Sequence, residues 1–243
     1  MDIRMGSLLD GAREAVGTVV VIDVFRAFTT AAVAFTRGAE KIILVGEIED
    51  ALALKAQGAG ELLVGEVEGK RPAGFDHNNS PFEICRTDLK GKTLIQSTRA
   101  GTVGVEAATG ADMIYTGAFV NALATAEAIR AANSEIVTLV AMGWGAKRET
   151  EEDTSCARYL AQLLQGDRPD VEAFRSPVLA TAESRKFDDP AQPHFHPRDR
   201  DIALSVDTVP FAIRVDREDD LLVARREAVP HVEAELLDSV LPI

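Results

Sequence analysis

Asp23 follows four consecutive β-branched residues, Val19-Val20-Val21-Ile22, so its carboxylate stands where a strand ends. A carboxylate there can bind a metal or act in catalysis, and the same residue also suits the N-cap of the following helix. Arg26 places a guanidinium at that helix N-terminus, where its fork of N–H donors matches phosphate or sulfonate, or serves a surface ion pair. Thr29 and Thr30 fall in the first helical turn as hydroxyl donors or as packing. Glu66 is a second strand-end carboxylate, preceded by Gly65; the plainer reading is a solvated loop acid beside Glu68. Two oxygen ligands from separate loops, completed by water and substrate oxygens, is a common way to hold Mg²⁺.

Further polar residues fall at other element boundaries. Ser80 with Glu83 three residues later, and Pro81 between them, marks a helix start. Asn79 and Ser80 at that start can line an anion site or simply cap. Thr98, Gly101 and Thr102 belong to a hydroxyl- and glycine-bearing strand-to-helix loop suited to an oxyanion, without the Gly-Lys-Ser/Thr ending of a Walker loop. Asn121 sits just beyond Thr116-Gly117. Asp153 and Glu152 open a helix, where acids belong on dipole grounds, and either also fits a further metal ligand or general acid. His194-Phe195-His196 has the spacing of paired ligands on a strand, but Pro193 and Pro197 favour a loop. Gly143-Trp144-Gly145 is too short for a dinucleotide fingerprint.

The elements that must position these residues alternate. Apolar strand-like runs at 18–22, 41–45, 61–64, 93–96, 112–116 and 136–141 are separated by helical patterns at 27–37, 47–57, 102–108, 122–132 and 151–164. Such repetition predicts an α/β fold of three layers, α/β/α, with a mostly parallel sheet. Ligands of open α/β sheets bind beyond the carboxyl ends of the strands, and those are the ends where the carboxylates, hydroxyls and glycines collect. After Gly166 the pattern loosens. Residues 170–187 read as helix interrupted by Pro177, 188–200 as a loop, and 202–206, 211–215 and 221–224 as short antiparallel strands. The chain is read as one domain over 1–243, with 167–243 an extension of the sheet, the preferred reading, or a flap.

With 243 residues, a hydrophobic fraction of 46% and no apolar run of about 20 residues, the composition fits a folded chain without membrane spans. The first residues lack a basic stretch followed by an apolar one, which places the protein in the cytoplasm. Cys85 and Cys156 are too few for a disulfide framework and read as reduced, buried thiols. A net charge of −13 argues against nucleic acid as a partner. It also means that an anionic ligand needs local positive charge, which a carboxylate-bound divalent cation supplies. Oligomeric state is unreadable, and a homodimer is only the base-rate expectation.

Val21-Ile22-Asp23-Val24-Phe25-Arg26-Ala27-Phe28-Thr29-Thr30 resembles the IDV-x-R-A-x-T-T signature of 2-phosphosulfolactate phosphatases. Leu63-Val64-Gly65-Glu66, Gly74-Phe75-Asp76 with Asn79-Ser80-Pro81, Thr116-Gly117 with Asn121-Ala122, and Glu152-Asp153 with Cys156-Ala157 match its later motifs in order, over roughly 18–165. One departure lies at Thr98-Arg99-Ala100-Gly101-Thr102, where many members carry Asn-Gly-Thr; it leaves the natural substrate open. The resemblance implies Mg²⁺-dependent hydrolysis of 2-phospho-3-sulfolactate to 3-sulfolactate, a step toward coenzyme M or sulfolactate. On this reading Asp23, Glu66 and Asp153 hold the metal against the phosphoryl group. Arg26, Thr29, Thr30, Asn79, Ser80, Thr98, Gly101, Thr102 and Asn121 face the remaining charge. Phe25 stands where a haloacid dehalogenase carries its second aspartate. The alternatives are a phosphatase of another small phosphorylated hydroxy acid and a non-catalytic nucleotide- or anion-binding module.

Overall fold

The helix after Asp23 sets the architecture. Its residues read Ala-Phe-Thr-Thr-Ala-Ala-Val-Ala-Phe, apolar or small on every side, and a helix of that kind must be buried all round. In the computed structural model, which describes residues 1–230 and 232, every one of these residues is buried.

In chain order the elements are β1 (Asp2–Ser7), α1 (Leu8–Glu14), β2 (Gly17–Ile22), α2 (Ala27–Thr36), β3 (Lys41–Val45), α3 (Ile48–Ala56), β4 (Leu62–Gly65), β5 (His77–Asn78), α4 (Pro81–Ile84), β6 (Thr93–Ser97) and α5 (Gly101–Ala107). They continue with β7 (Ala111–Gly117), α6 (Ala122–Ala131), β8 (Ile136–Ala141), α7 (Glu151–Gln165), α8 (Val171–Leu179), α9 (Ala182–Arg185), α10 (Pro197–Ala203), β9 (Phe211–Glu218) and β10 (Leu221–Ala228). The described strands form a 10-stranded sheet in the order β1-β8-β2-β7-β9-β10-β3-β6-β4-β5.

Pairing is parallel among β1, β8, β2 and β7, and parallel among β3, β6, β4 and β5. The β9–β10 hairpin lies between these blocks, antiparallel to β7 on one side and to β3 on the other. The two parallel blocks therefore run in opposite directions. Side-chain alternation builds three layers. Val19 and Val21 of β2, with Ile42 and Leu44 of β3, share one core with α2. On the other face Val20 and Ile22 meet α6 and α7, while Ile43 and Val45 meet Ala51 of α3. The sheet thus curls around α2. Strand twist accumulates from neighbour to neighbour, and the carboxyl ends of the opposed blocks come together: the Gly101 N–H after β6 donates to Asp23 Oδ2 after β2 at 2.9 Å.

The α/β/α class and the mostly parallel, mixed sheet are as the sequence indicates. The strand expected at 202–206 is instead the end of α10 and the turn that follows it. Pro197 occupies its first turn, His196 Nδ1 caps it by accepting the Arg198 N–H at 3.1 Å, and Asp199, Ile202 and Ala203 form one buried face at helical spacing. Part of the loop read at 188–200 is the start of this same helix. Pro177 does not separate two helices; it lies inside α8, which ends two residues later. β1 and α1 have no counterpart in the sequence reading. Both cysteines are free and buried. Among the described residues, no helix is long and apolar enough to cross a membrane.

Candidate active site

Where the strand ends converge lies a cleft of ≈ 470 Å³. Asp23, Glu66, Arg26 and Asn79 line it, together with Glu47, Arg99, Trp144, Lys147, Arg148 and Phe195.

Asp23, only 6% exposed, is held from two sides. Its Oδ1 accepts the Ala27 N–H at the start of α2 at 3.0 Å, and its Oδ2 accepts the Gly101 N–H at the start of α5. The capping role anticipated for this residue is present, doubled across two helices, and it fixes the carboxylate at the cleft. Gly101 permits the approach: a Cβ there would stand 2.8 Å from Ala27 Cβ and 2.9 Å from Asp23 Oδ2. Gly101→Ala is therefore expected to cost about 1–3 kcal/mol through overpacking and to lower activity with it. Urea denaturation and initial rates measure both, and wild-type values of each would contradict this packing.

Glu66 is fixed in the same manner. Its Oε1 accepts the Arg99 N–H at 2.9 Å and its Oε2 the Gly69 N–H at 2.7 Å. Asp153 is 2% exposed and accepts from Val24 N–H at 2.7 Å and Gly143 N–H at 2.8 Å, joining the loops after β2 and β8. Glu152 beside it is buried, and its Oε2 has no partner among the described residues.

Burial and mutual repulsion keep Asp23, Glu152 and Asp153 from ionising easily. Burial first, then the Glu66 charge, pushes Asp23 up to about 6 against the opposing Ala27 and Gly101 N–H groups and Arg26. Burial, with Glu183 and Asp23 adding repulsion, pushes Glu152 up to about 7. Asp153 is raised well above the usual carboxylate range by burial, then by Asp23 and Glu152. A divalent cation would relieve all three, so the donor chemistry fits one. Among the described residues no three Asp, Glu, His or Cys side chains group closely enough to share an ion. The fit is therefore to an ion held by one or two carboxylates, with water and phosphoryl oxygens filling its shell, the usual manner of Mg²⁺.

Arg26 lines the cleft, yet its donors are engaged within the fold. Nη1 meets Asp199 Oδ2 at 2.6 Å and the His194 carbonyl at 3.0 Å, and Nη2 meets the Gly69 carbonyl at 3.1 Å. Asp199 in turn accepts from the Ser80 hydroxyl at 2.6 Å and the Phe82 N–H at 2.9 Å. One ion pair thus ties together the loop after β4, α4, α10 and the strip carrying Phe195, whose ring lies 5.0 Å from the guanidinium carbon.

The other expected residues stand behind the cleft surface. Thr29 donates to the Val24 carbonyl at 2.8 Å, and the Thr30 hydroxyl is buried without a partner among the described residues. Thr98 and Thr102 close their loop on each other: the Thr98 N–H donates to Thr102 Oγ1 at 2.9 Å and the Thr102 N–H to Thr98 Oγ1 at 3.2 Å. Ser80 caps α4 by accepting the Glu83 N–H at 3.1 Å. Asn121 accepts the Ala118 N–H at 3.2 Å, and its Nδ2 is buried with no partner among the described residues. His194 and His196 do not form a ligand pair: His196 caps α10 and stacks on Phe82 at 4.2 Å.

Sequence reasoning did not assign Trp144, Lys147, Arg148 and Glu47 to the site. The signal was available, since residues 143–148 follow β8 and Glu47 follows β3, both at carboxyl ends.

A family model described as 2-phosphosulpholactate phosphatase matches residues 7–197. A protein of Bacillus subtilis (strain 168) called a probable 2-phosphosulfolactate phosphatase is 31% identical over 211 residues, covering 85% of this chain and 90% of the relative. Proteins given the same name in Carboxydothermus hydrogenoformans and Caldicellulosiruptor saccharolyticus are 42% identical over 146 residues and 38% identical over 156. These matches cover 60% of both chains in the first case, and 63% of this chain and 64% of the relative in the second.

Proposed function

The chain belongs to the 2-phosphosulpholactate phosphatase family, and from that premise we propose that it is a Mg²⁺-dependent phosphomonoesterase converting 2-phospho-3-sulfolactate to 3-sulfolactate and phosphate. The observation that carries this reading is the buried Asp23 and half-buried Glu66, two strand-end carboxylates at one cleft in a chain of net charge −13. Two carboxylates so placed repel a phosphoryl group brought between them unless a cation intervenes. Asp23 and Glu66, both lining the cleft and both oriented by pairs of backbone N–H groups, would hold the ion, and Asp153 braces the loop after β2 from the α7 side. Bound there, Mg²⁺ would withdraw charge from the phosphoryl oxygens as the ester bond breaks. The protein's own part is orientation. Asp23 and Glu66 are fixed before substrate arrives, Arg26 holds the Gly69 and His194 carbonyls in place, and Phe195 with Trp144 forms an apolar wall that limits water. Preorganised positioning of this kind supplies much of the catalysis of phosphoryl transfer. Cytoplasmic placement and a role toward coenzyme M or sulfolactate belong to this same reading.

Turnover of 2-phospho-3-sulfolactate compared with 2-phospholactate, which lacks the sulfonate, tests the substrate. A clear preference for the sulfonated ester is expected; equal or better turnover of 2-phospholactate would move the reading to a general phosphatase of small hydroxy acids. Glu66→Gln retains only one good acceptor for two N–H donors and removes a charge. It should raise the Mg²⁺ concentration needed for half-maximal rate by about 10- to 100-fold, the range seen when groups around a metal are altered. An unchanged Mg²⁺ response would remove Glu66 from the metal set.

A further inference from the structure

The cleft holds four acidic residues, Asp23, Glu47, Glu66 and Glu68, and four basic ones, Arg26, Arg99, Lys147 and Arg148. The basic residues are not equally free. Arg26 is committed to Asp199 at 2.6 Å, and Arg148 pairs with Glu183 at 2.7 Å. Arg99 uses only Nη2, donating to the Gly46 carbonyl and to Glu47 at 3.3 Å. Its Nε is buried without a hydrogen-bond partner among the described residues. Lys147 is exposed and has no ion pair among the described residues. An unpaired, buried guanidinium N–H is costly unless a ligand completes it.

Placement strengthens the case. Arg99 lies in the β6–α5 loop, and its own backbone N–H orients Glu66. Lys147 lies in the β8–α7 loop, whose Gly143 N–H orients Asp153. One cation with donors to spare therefore comes from each opposed block of the sheet, within one short loop of the carboxylates: Arg99, whose Glu47 pair uses Nη2 alone, and Lys147. A phosphoester bearing two further acid groups presents more negative charge than a phosphoryl-bound metal can balance.

We propose that Arg99 and Lys147 are the specificity-determining residues that receive the substrate's two non-reacting acid groups, Arg99 by its fork of donors and Lys147 as a point charge. This rests on the phosphatase reading and deepens it. Arg99 is carried on the β6–α5 loop, where its backbone N–H already meets Glu66. Arginine there adds a forked cation. Both residues act on binding, so their loss should appear mainly in KM, with kcat less affected.

The test measures kcat and KM of the full chain, wild type, Arg99→Gln and Lys147→Ala, on 2-phospho-3-sulfolactate and on 2-phospholactate in saturating Mg²⁺. For Arg99→Gln, kcat/KM on the sulfonated ester should fall about 10- to 100-fold, the loss expected for a hydrogen bond to a charged group. The fall should be at least several-fold larger than that on 2-phospholactate, and Lys147→Ala should discriminate in the same direction. Equal losses on both esters, or none, in a wild type that turns over the sulfonated ester would overturn the proposal alone. A wild type inactive on both esters would overturn the phosphatase reading and this proposal together. Thermal denaturation of each variant separates a folding defect from a binding one: Arg99→Lys, which keeps the charge but not the fork, should recover part of the discrimination if binding is at issue.

Discussion

Replacing Asp23 by asparagine should lower kcat/KM by roughly 10³-fold or more, the several kcal/mol forfeited if the charge proposed to anchor the metal is lost. The structure explains why so small a change matters. Asp23 receives N–H groups from the first residues of two helices, Ala27 and Gly101, and stands at the cleft between opposed halves of the sheet. Asparagine can accept one of these N–H groups, while its own amide N–H would face the other. That mismatch costs about 1–3 kcal/mol. Against it stands relief of the repulsion that Asp23 exerts on Glu152 and Asp153. The variant should remain folded, with a cooperative denaturation curve close to wild type, while phosphate release is nearly lost. Near-normal turnover by a folded Asp23→Asn protein would sink the assignment of this residue.

Arg26→Ala is expected to damage the fold, and activity only through it. Removing the guanidinium leaves Asp199, which is fully buried, as an uncompensated charge. Breaking one side of such a pair costs about 3–5 kcal/mol, and for a chain of this size that is a fall of about 6–20 °C in Tm at roughly 2–4 °C per kcal/mol. Two carbonyls, those of Gly69 and His194, lose their donor as well. Asp199→Asn should destabilise as well, since it leaves the buried Arg26 guanidinium without its counter-charge even though an amide oxygen still accepts from Ser80 and Phe82. A melting temperature for Arg26→Ala within a degree or two of wild type would show that this tie does not hold the cleft wall.

The central strands and helices are legible because each writes its own period. Ile42-Ile43-Leu44-Val45 is apolar throughout because β3 is covered on both faces, and 151–164 reads as helix because its apolar stripe and closing Gly166 are local. β1 escapes that logic: it is an edge strand of mixed polarity, half exposed, so no run of apolar residues announces it. The run Ile202-Ala203-Leu204-Ser205-Val206 looks like a strand because the residue that makes its start helical, Asp199, is buried by a charge 173 residues away. The same long-range pair hides the role of Arg26. A cation near a strand end reads alike whether it faces a ligand or a buried aspartate, and only the folded chain distinguishes the two.

The position of the C-terminal hairpin was equally out of reach. Its alternation marks two antiparallel strands, but nothing local says that they divide the sheet in the middle and so reverse one parallel block against the other. That reversal, with sheet twist, is why the strand ends after β2 and β6 meet at one cleft. The carboxylates Asp23 and Glu66 could be found from strand-end logic alone. That Arg99 and Lys147 keep donors uncommitted could not, because which donors the fold uses is a property of the assembled cleft.

The most direct measurement is phosphate release from 2-phospho-3-sulfolactate by the purified chain, stripped with chelator and then resupplied with Mg²⁺. The account predicts release that disappears with chelator, returns with Mg²⁺, and is lost in Asp23→Asn under both conditions. Release that persists unchanged in excess chelator, or no release at any Mg²⁺ concentration from a folded protein, would contradict it.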